Sequence, residues 1–126
     1  MTRGRCLCGR TTFEYEGTPN WQNWCHCESC RRQTASPATA FLGVDHGKWR
    51  WSGDQPRYYA SSPGVKRWFC ATCGAPVAFE SETWSHEIHF YAALLDDPST
   101  FHPTEHTNWS EHLPWDIPGD GLPVKG

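Results

Sequence analysis

Seven cysteines stand in three groups: Cys6-x-Cys8, Cys25-x-Cys27-x-x-Cys30 and Cys70-x-x-Cys73. A disulfide framework favours an even count in a secreted chain with a weak core. Here the count is odd, and Met1-Thr2-Arg3-Gly4-Arg5 offers no apolar stretch of the kind a secretory signal needs. The expected compartment is the cytoplasm, where thiols stay reduced and grouped thiols read as metal ligands. The arithmetic suggests a set of four and a set of three.

Cys70-Ala71-Thr72-Cys73-Gly74 has the spacing of a zinc knuckle. Two thiolates three residues apart on a tight turn converge on one ion, and Gly74 permits the positive φ that such a turn needs. Cys6 and Cys8 can complete the tetrahedron, because residues two apart on an extended segment point to the same face. A four-thiolate site is closed, which is the structural type. By analogy with a cross-link, closing a loop of about 60 residues adds about 4 kcal/mol.

Cys25, Cys27 and Cys30 place three thiols within six residues. Three ligands leave a fourth tetrahedral position for water or substrate, the catalytic pattern. The alternative is a second structural site completed by one of the seven histidines. His86, His89, His102, His106 and His112 are the candidates, and no fixed spacing selects among them. His26 is expected to point away from an ion held by its neighbours. A thiolate-rich, open zinc suits a substrate thiol. Attack by that thiol on an electrophile builds negative charge on the acceptor, which calls for a proton donor. His26, Glu28 and Ser29 are nearest in sequence, and His26 and Glu28 are taken as the catalytic candidates. Arg31 and Arg32 are the candidate partners for substrate carboxylates, with Lys66 and Arg67 as further cations. Trp21 and Trp24 either wall such a pocket or belong to the core.

These groups need a scaffold. The 126 residues fit one domain. Leu, Ile, Val and Met supply only 13 residues against 18 of Trp, Phe and Tyr, so the core must be aromatic. Ten prolines break the chain, and no long 3.6-residue period survives. Short aromatic and β-branched runs predict strands over 11–16, 38–44, 48–52, 57–60, 65–69, 77–80 and 87–95. A helical turn is expected over 28–34, before Pro37, and an irregular tail from Pro98 onward. No run of about 18 apolar residues exists to cross a membrane as a helix.

Residues 1–67 carry a balance of +5 and residues 68–126 a balance of −8. Two zinc ions on seven thiolates would take the formal charge of −3 to about −6. That disfavours a nucleic-acid partner.

The order Cys6–Gly9, Cys25–Arg31, Tyr59–Ser62, Arg67–Gly74, Leu95–Pro98, Trp109 or Trp115, and Gly121–Pro123 resembles the family of glutathione-dependent formaldehyde-activating enzymes. That family shares its domain with centromere protein V. The resemblance covers roughly residues 4–123. It implies a single zinc-binding domain over 1–126, mainly β, with the coiled antiparallel sheets of a β-tent. It implies two zinc ions: a structural one on Cys6, Cys8, Cys70 and Cys73, and an active-site one on Cys25, Cys27 and Cys30. The implied activity is that of a carbon–sulfur lyase joining glutathione and formaldehyde. Where Ala35 stands, the family often carries glycine. Two function classes follow: a zinc-dependent lyase acting on a thiol–aldehyde adduct, or a zinc-stabilised module that binds protein or nucleic acid without catalysis.

Overall fold

A computed structural model describes all residues, 1–126. The strands are β1 (Thr2–Arg5), β2 (Thr12–Tyr15), β3 (Trp21–Cys25), β4 (Thr39–Asp45), β5 (Trp49–Trp51), β6 (Arg57–Ser62), β7 (Val65–Phe69), β8 (Pro76–Ser81), β9 (Glu87–Tyr91) and β10 (His106–Thr107). One helix, α1 (Glu28–Thr34), joins β3 to β4. β1, β2 and β5 form a three-stranded sheet in the order β1-β2-β5. The other seven strands form a second sheet, β10-β3-β4-β9-β8-β7-β6, antiparallel except where β10 runs parallel to β3.

Strand register divides the large sheet into two chemically distinct faces, because neighbouring residues on a strand point to opposite sides. Leu42 pairs with Phe90, Phe90 with Ala78, and Ala78 with Trp68. This row faces the small sheet. There Phe13 stacks on Phe90 with ring centroids 4.1 Å apart, and Trp49 and Trp51 meet Phe90 edge-on. The aromatic core expected from composition lies between the sheets. The next row, on the opposite face, runs Trp21, Gly43, His89, Phe79, Arg67. Gly43 is required there. A Cβ at that position would lie 2.4 Å from the Trp21 indole nitrogen and 2.8 Å from the Glu87 carboxylate, so glycine lets the indole cross β4.

The expected strands are present, with shifts of a residue or two at most ends. The strand expected over 87–95 stops at Tyr91, and Ala92–Leu94 form a 3-10 turn. β1, β3 and β10 lie outside the expected set. From Pro98 onward, short 3-10 turns alternate with irregular chain, and β10 docks on β3. No helix is long and apolar enough to cross a membrane.

The helix expected over 28–34 forms with those bounds. The Cys27 sulfur caps it, accepting the Cys30 N–H at 3.3 Å. It ends at Ala35, which takes the left-handed conformation with φ 56° and donates its N–H to the Arg31 carbonyl. That conformation suits glycine and strains an L-residue with a Cβ. Ala35→Gly is therefore expected to stabilise the chain by about 1 kcal/mol, read as a raised urea midpoint at unchanged slope. A lowered midpoint would contradict the assigned cap.

Candidate metal centres

Cys6 and Cys8 lie on the connection that follows β1, and Cys70 and Cys73 on the turn between β7 and β8. Their four sulfurs all lie within 4.8 Å of one another. Cys6 and Cys8 sulfurs are 3.6 Å apart, and Cys8 and Cys70 sulfurs 3.7 Å. A tetrahedron with metal–sulfur bonds of about 2.3 Å has edges of about 3.8 Å, so the donor set fits one ion. Gly74 takes φ 78° and closes the knuckle, as its position in the motif predicts. Backbone N–H groups support the sulfurs: Thr11 donates to Cys6 at 3.3 Å, and Thr72 and Cys73 donate to Cys70 at 3.4 Å.

The second group joins the end of β3 to the first turn of α1. Cys25, Cys27 and Cys30 sulfurs lie within 4.8 Å of one another, and no histidine nitrogen joins them. Three donors around one point fit an ion with a free position. Asn108, from the tail, donates its side-chain N–H to Cys25 at 3.3 Å. Hydrogen bonds from Cys27 and Cys30 hold the Cys25 thiol well below the usual range, while Cys25 and Cys27 push the Cys30 thiol up.

Arg67 reaches this group from β7. It is only 6% exposed, and its Nη1 donates to the Cys30 sulfur at 3.5 Å. Its Nε donates to Ser61 at 3.0 Å, and the guanidinium lies 5.0 Å from the centre of the Phe79 ring. Burial opposes the Arg67 charge, but Cys30, together with Tyr91 and Cys27, outweighs it and the proton is held more firmly. Tyr91 packs with Cys30 and Phe41, and its hydroxyl donates to Gln33 at 2.6 Å. Burial, then the Cys30 sulfur, push the Tyr91 phenol up, so it stays protonated. Further along the same face, His89 lies 2.6 Å from the buried Glu87 carboxylate, which also accepts the Trp21 N–H at 2.7 Å.

The remaining candidates lie elsewhere. His26 is completely buried, on the side of the loop away from the sulfurs, against His106 and the edge of Trp109. Glu28 is exposed and faces Arg31 and Arg32 at 4.0 and 3.8 Å. α1 turns Cys30 and Gln33 toward the sulfur group, and Arg31 and Arg32 line a cleft of about 290 Å³ with Ala35, Pro37 and Trp115. Ser29 is exposed. Lys66 is exposed, points to the opposite side of β7 from Arg67 and lies over the Tyr58 ring. Trp21 shares the sulfur-bearing face, whereas Trp24 faces the opposite way, stacking on His106. His86 stands at the rim with Asp45 and Glu87, and His112 stacks on Trp109.

The sequence profile of the glutathione-dependent formaldehyde-activating enzymes matches residues 1–111. The chain belongs to this family. Among solved structures, a Rhodobacter sphaeroides protein is similar in fold, with a TM-score of 0.63 at 20% identity over 97% of this chain and 98% of that one. No curated protein matches. In this formaldehyde-activating family member, the residues around the three sulfurs come from several separate segments of chain, β3 with α1, β4, β7, β8, β9 and the tail among them. Arg67 was legible only as one cation among four. Tyr91, Gln33 and Asn108 carried no signal in the sequence, because each reaches the group through tertiary packing.

Proposed function

We propose that the chain is a zinc-dependent carbon–sulfur lyase that joins a glutathione-like thiol to a small aldehyde, or splits the adduct. The observation that carries this reading is the group of three sulfurs, since three ligands leave a tetrahedral position for substrate. Family membership supplies glutathione and formaldehyde as the reference pair. The group of four takes the structural zinc. The whole chain, 1–126, is read as a single zinc-binding β-tent domain working in the cytoplasm, where cysteines without disulfides stay reduced and available to metal.

When bound by Cys25, Cys27 and Cys30, zinc supplies a position at which a substrate thiol is deprotonated near neutral pH. Arg67 sets a positive charge against Cys30 in a buried place, where it counts most. Tyr91 is the proton donor of this reading. It stands beside Cys30 and keeps its proton; turning its hydroxyl from Gln33 to the aldehyde oxygen, it delivers that proton as sulfur adds to the carbon, and the proton released by the thiol reloads the phenol. Gln33 accepts from the phenol at rest and fixes the position of its oxygen. Tyr91 takes this role in place of His26 and Glu28, whose side chains engage His106 and the helix arginines. Arg31 and Arg32, which line their own cleft beside α1, are assigned to the carboxylates of a thiol long enough to extend there from the sulfur group, and a guanidinium fork is suited to them.

Calorimetric titration of zinc-loaded protein tests the reading. Glutathione binds more tightly than cysteamine, which has no carboxylate. Exchanging Arg31 and Arg32 for alanine narrows that gap by up to about 1.5–3 kcal/mol per lost charge-assisted bond. Tyr91→Phe retains thiol binding but slows adduct formation by about 100-fold or more, followed by NMR with carbon-13 formaldehyde. If neither thiol binds the wild type, the zinc-stabilised binding module is the better account.

A further inference from the structure

We propose that His26 and Asp116 form a third metal site, distinct from both cysteine groups, for a divalent transition-metal ion with nitrogen and oxygen ligands. The tautomers of the two histidines decide what His26 presents to Asp116. His106 Nε2 lies 2.8 Å from an Asp120 carboxylate oxygen. A carboxylate only accepts, so His106 carries its proton on Nε2. In the neutral ring Nδ1 is the acceptor, and His26 Nε2, 2.8 Å away, is then the donor. His26 Nδ1 is left with a bare lone pair. That atom is buried, and no protein group bonds to it. It faces Asp116 Oδ2 at 3.5 Å, a second acceptor.

Two facing acceptors, one of them wholly buried, need something positive or hydrogen-donating between them. The separation of 3.5 Å decides what. A proton on His26 Nδ1 would draw the carboxylate in to about 2.7–2.9 Å, the length of a charge-assisted bond. A water donating to both from about 2.8 Å would have its two acceptors only about 77° apart, far below the tetrahedral angle. An ion with bonds of about 2.0–2.2 Å at the tetrahedral angle holds its ligand atoms about 3.4 Å apart, which matches.

The surroundings fit the same occupant. Imidazole with carboxylate suits zinc, nickel or cobalt. The chain from His26 through His106 to Asp120 is the outer arrangement that fixes a ligating histidine's tautomer and raises its basicity. Both side chains line a cavity of about 310 Å³, shared with Trp24, Pro118 and Asp120, with room for waters to complete the coordination. Asp116 and Asp120 lie beyond the residues 1–111 that the family profile matches. The ion would fasten the C-terminal segment to the loop that carries Cys25, Cys27 and Cys30.

The test is a nickel titration by calorimetry on the full chain with its cysteine groups already zinc-loaded, while zinc release is followed. One nickel ion binds per wild-type chain with no zinc released. Asp116→Asn weakens that binding at least tenfold, and Asp120→Asn weakens it about 10–100-fold through the histidine chain. Both aspartates are partly exposed, so neither change threatens the core. Asp45→Asn, in the rim cluster with His86 and Glu87, leaves nickel binding as it was. The proposal is overturned if no nickel binds, if uptake equals zinc release, if Asp116→Asn binds like wild type, or if Asp45→Asn abolishes binding.

Discussion

Cys70→Ser unfolds the chain, or lowers its melting temperature by more than about 10 °C, and releases one metal ion per chain. Cys70 is 1% exposed and packs with Cys6 and Val77, beneath Trp51 and Trp68. Its sulfur lies 3.7 Å from that of Cys8, across 62 residues of sequence. An ion held there would pin the β1–β2 hairpin, one strand pair of the small sheet, to the β7–β8 turn of the large sheet. No other covalent or coordinate tie joins these elements, since all seven cysteines are free of disulfides. Serine has nearly the shape of cysteine, so the loss reports coordination rather than packing. Binding at a closed thiolate site is folding free energy, and its loss exceeds what a small domain can spare. Cys27→Ser provides the contrast. Cys27 is half-buried, its site joins residues close in sequence, and a serine oxygen still caps α1. That variant melts within a few degrees of wild type. The pair is compared by differential scanning calorimetry with metal content measured on the same samples. Equal losses of stability would give both groups one structural role.

The cysteine grouping was legible because metal-binding spacing is local: a knuckle is four residues, and a run such as Cys25–Cys30 is six. The helix over 28–34 was legible for the same reason, being bounded by Cys27 and the approach to Pro37. β3 was not legible. Trp21-Gln22-Asn23-Trp24-Cys25 has no β-branched residue, and every position is half-buried because one face meets α1 and the tail while the other meets Phe101 and His106. β1 carries two arginines and a glycine, and Gly4 is there because the Phe13 ring occupies the space of its Cβ. The catalytic candidates rested on a different argument. Proximity in sequence favoured His26 and Glu28, but on an extended segment His26 must point opposite to Cys25. The groups that do meet the sulfurs arrive through strand register. Arg67 is 37 residues from Cys30, and Asn108 is 83 from Cys25. Which residues share a face can be read along one strand, but which strands are neighbours cannot.

Arg67→Met loosens the metal in the three-cysteine group and leaves the four-cysteine group as tightly loaded as before. Three thiolates on a divalent ion carry a net charge of about −1, in a place Arg67 shares with Phe41, Phe79 and Tyr91. Arg67 supplies the compensating +1, with one N–H on the Cys30 sulfur and another on Ser61. Methionine keeps most of the volume against the Phe79 ring but removes both the charge and the donors. The buried negative charge is then unpaired, which is the costly way to break such an arrangement. Loss of a partner to a metal ligand lowers affinity about 10–100-fold, and the removed charge places this variant at the upper end. Arg67→Lys restores the charge without the fork that spans Cys30 and Ser61, so its loss is smaller. The measurement is the release of metal to a chromophoric chelator in two phases. The fast phase accelerates in Arg67→Met, less so in Arg67→Lys, and the slow phase stays at the wild-type rate. Because Arg67 is buried, a folding defect would accelerate both phases together. Unchanged release in both phases would mean that the guanidinium contact on Cys30 does not hold the site.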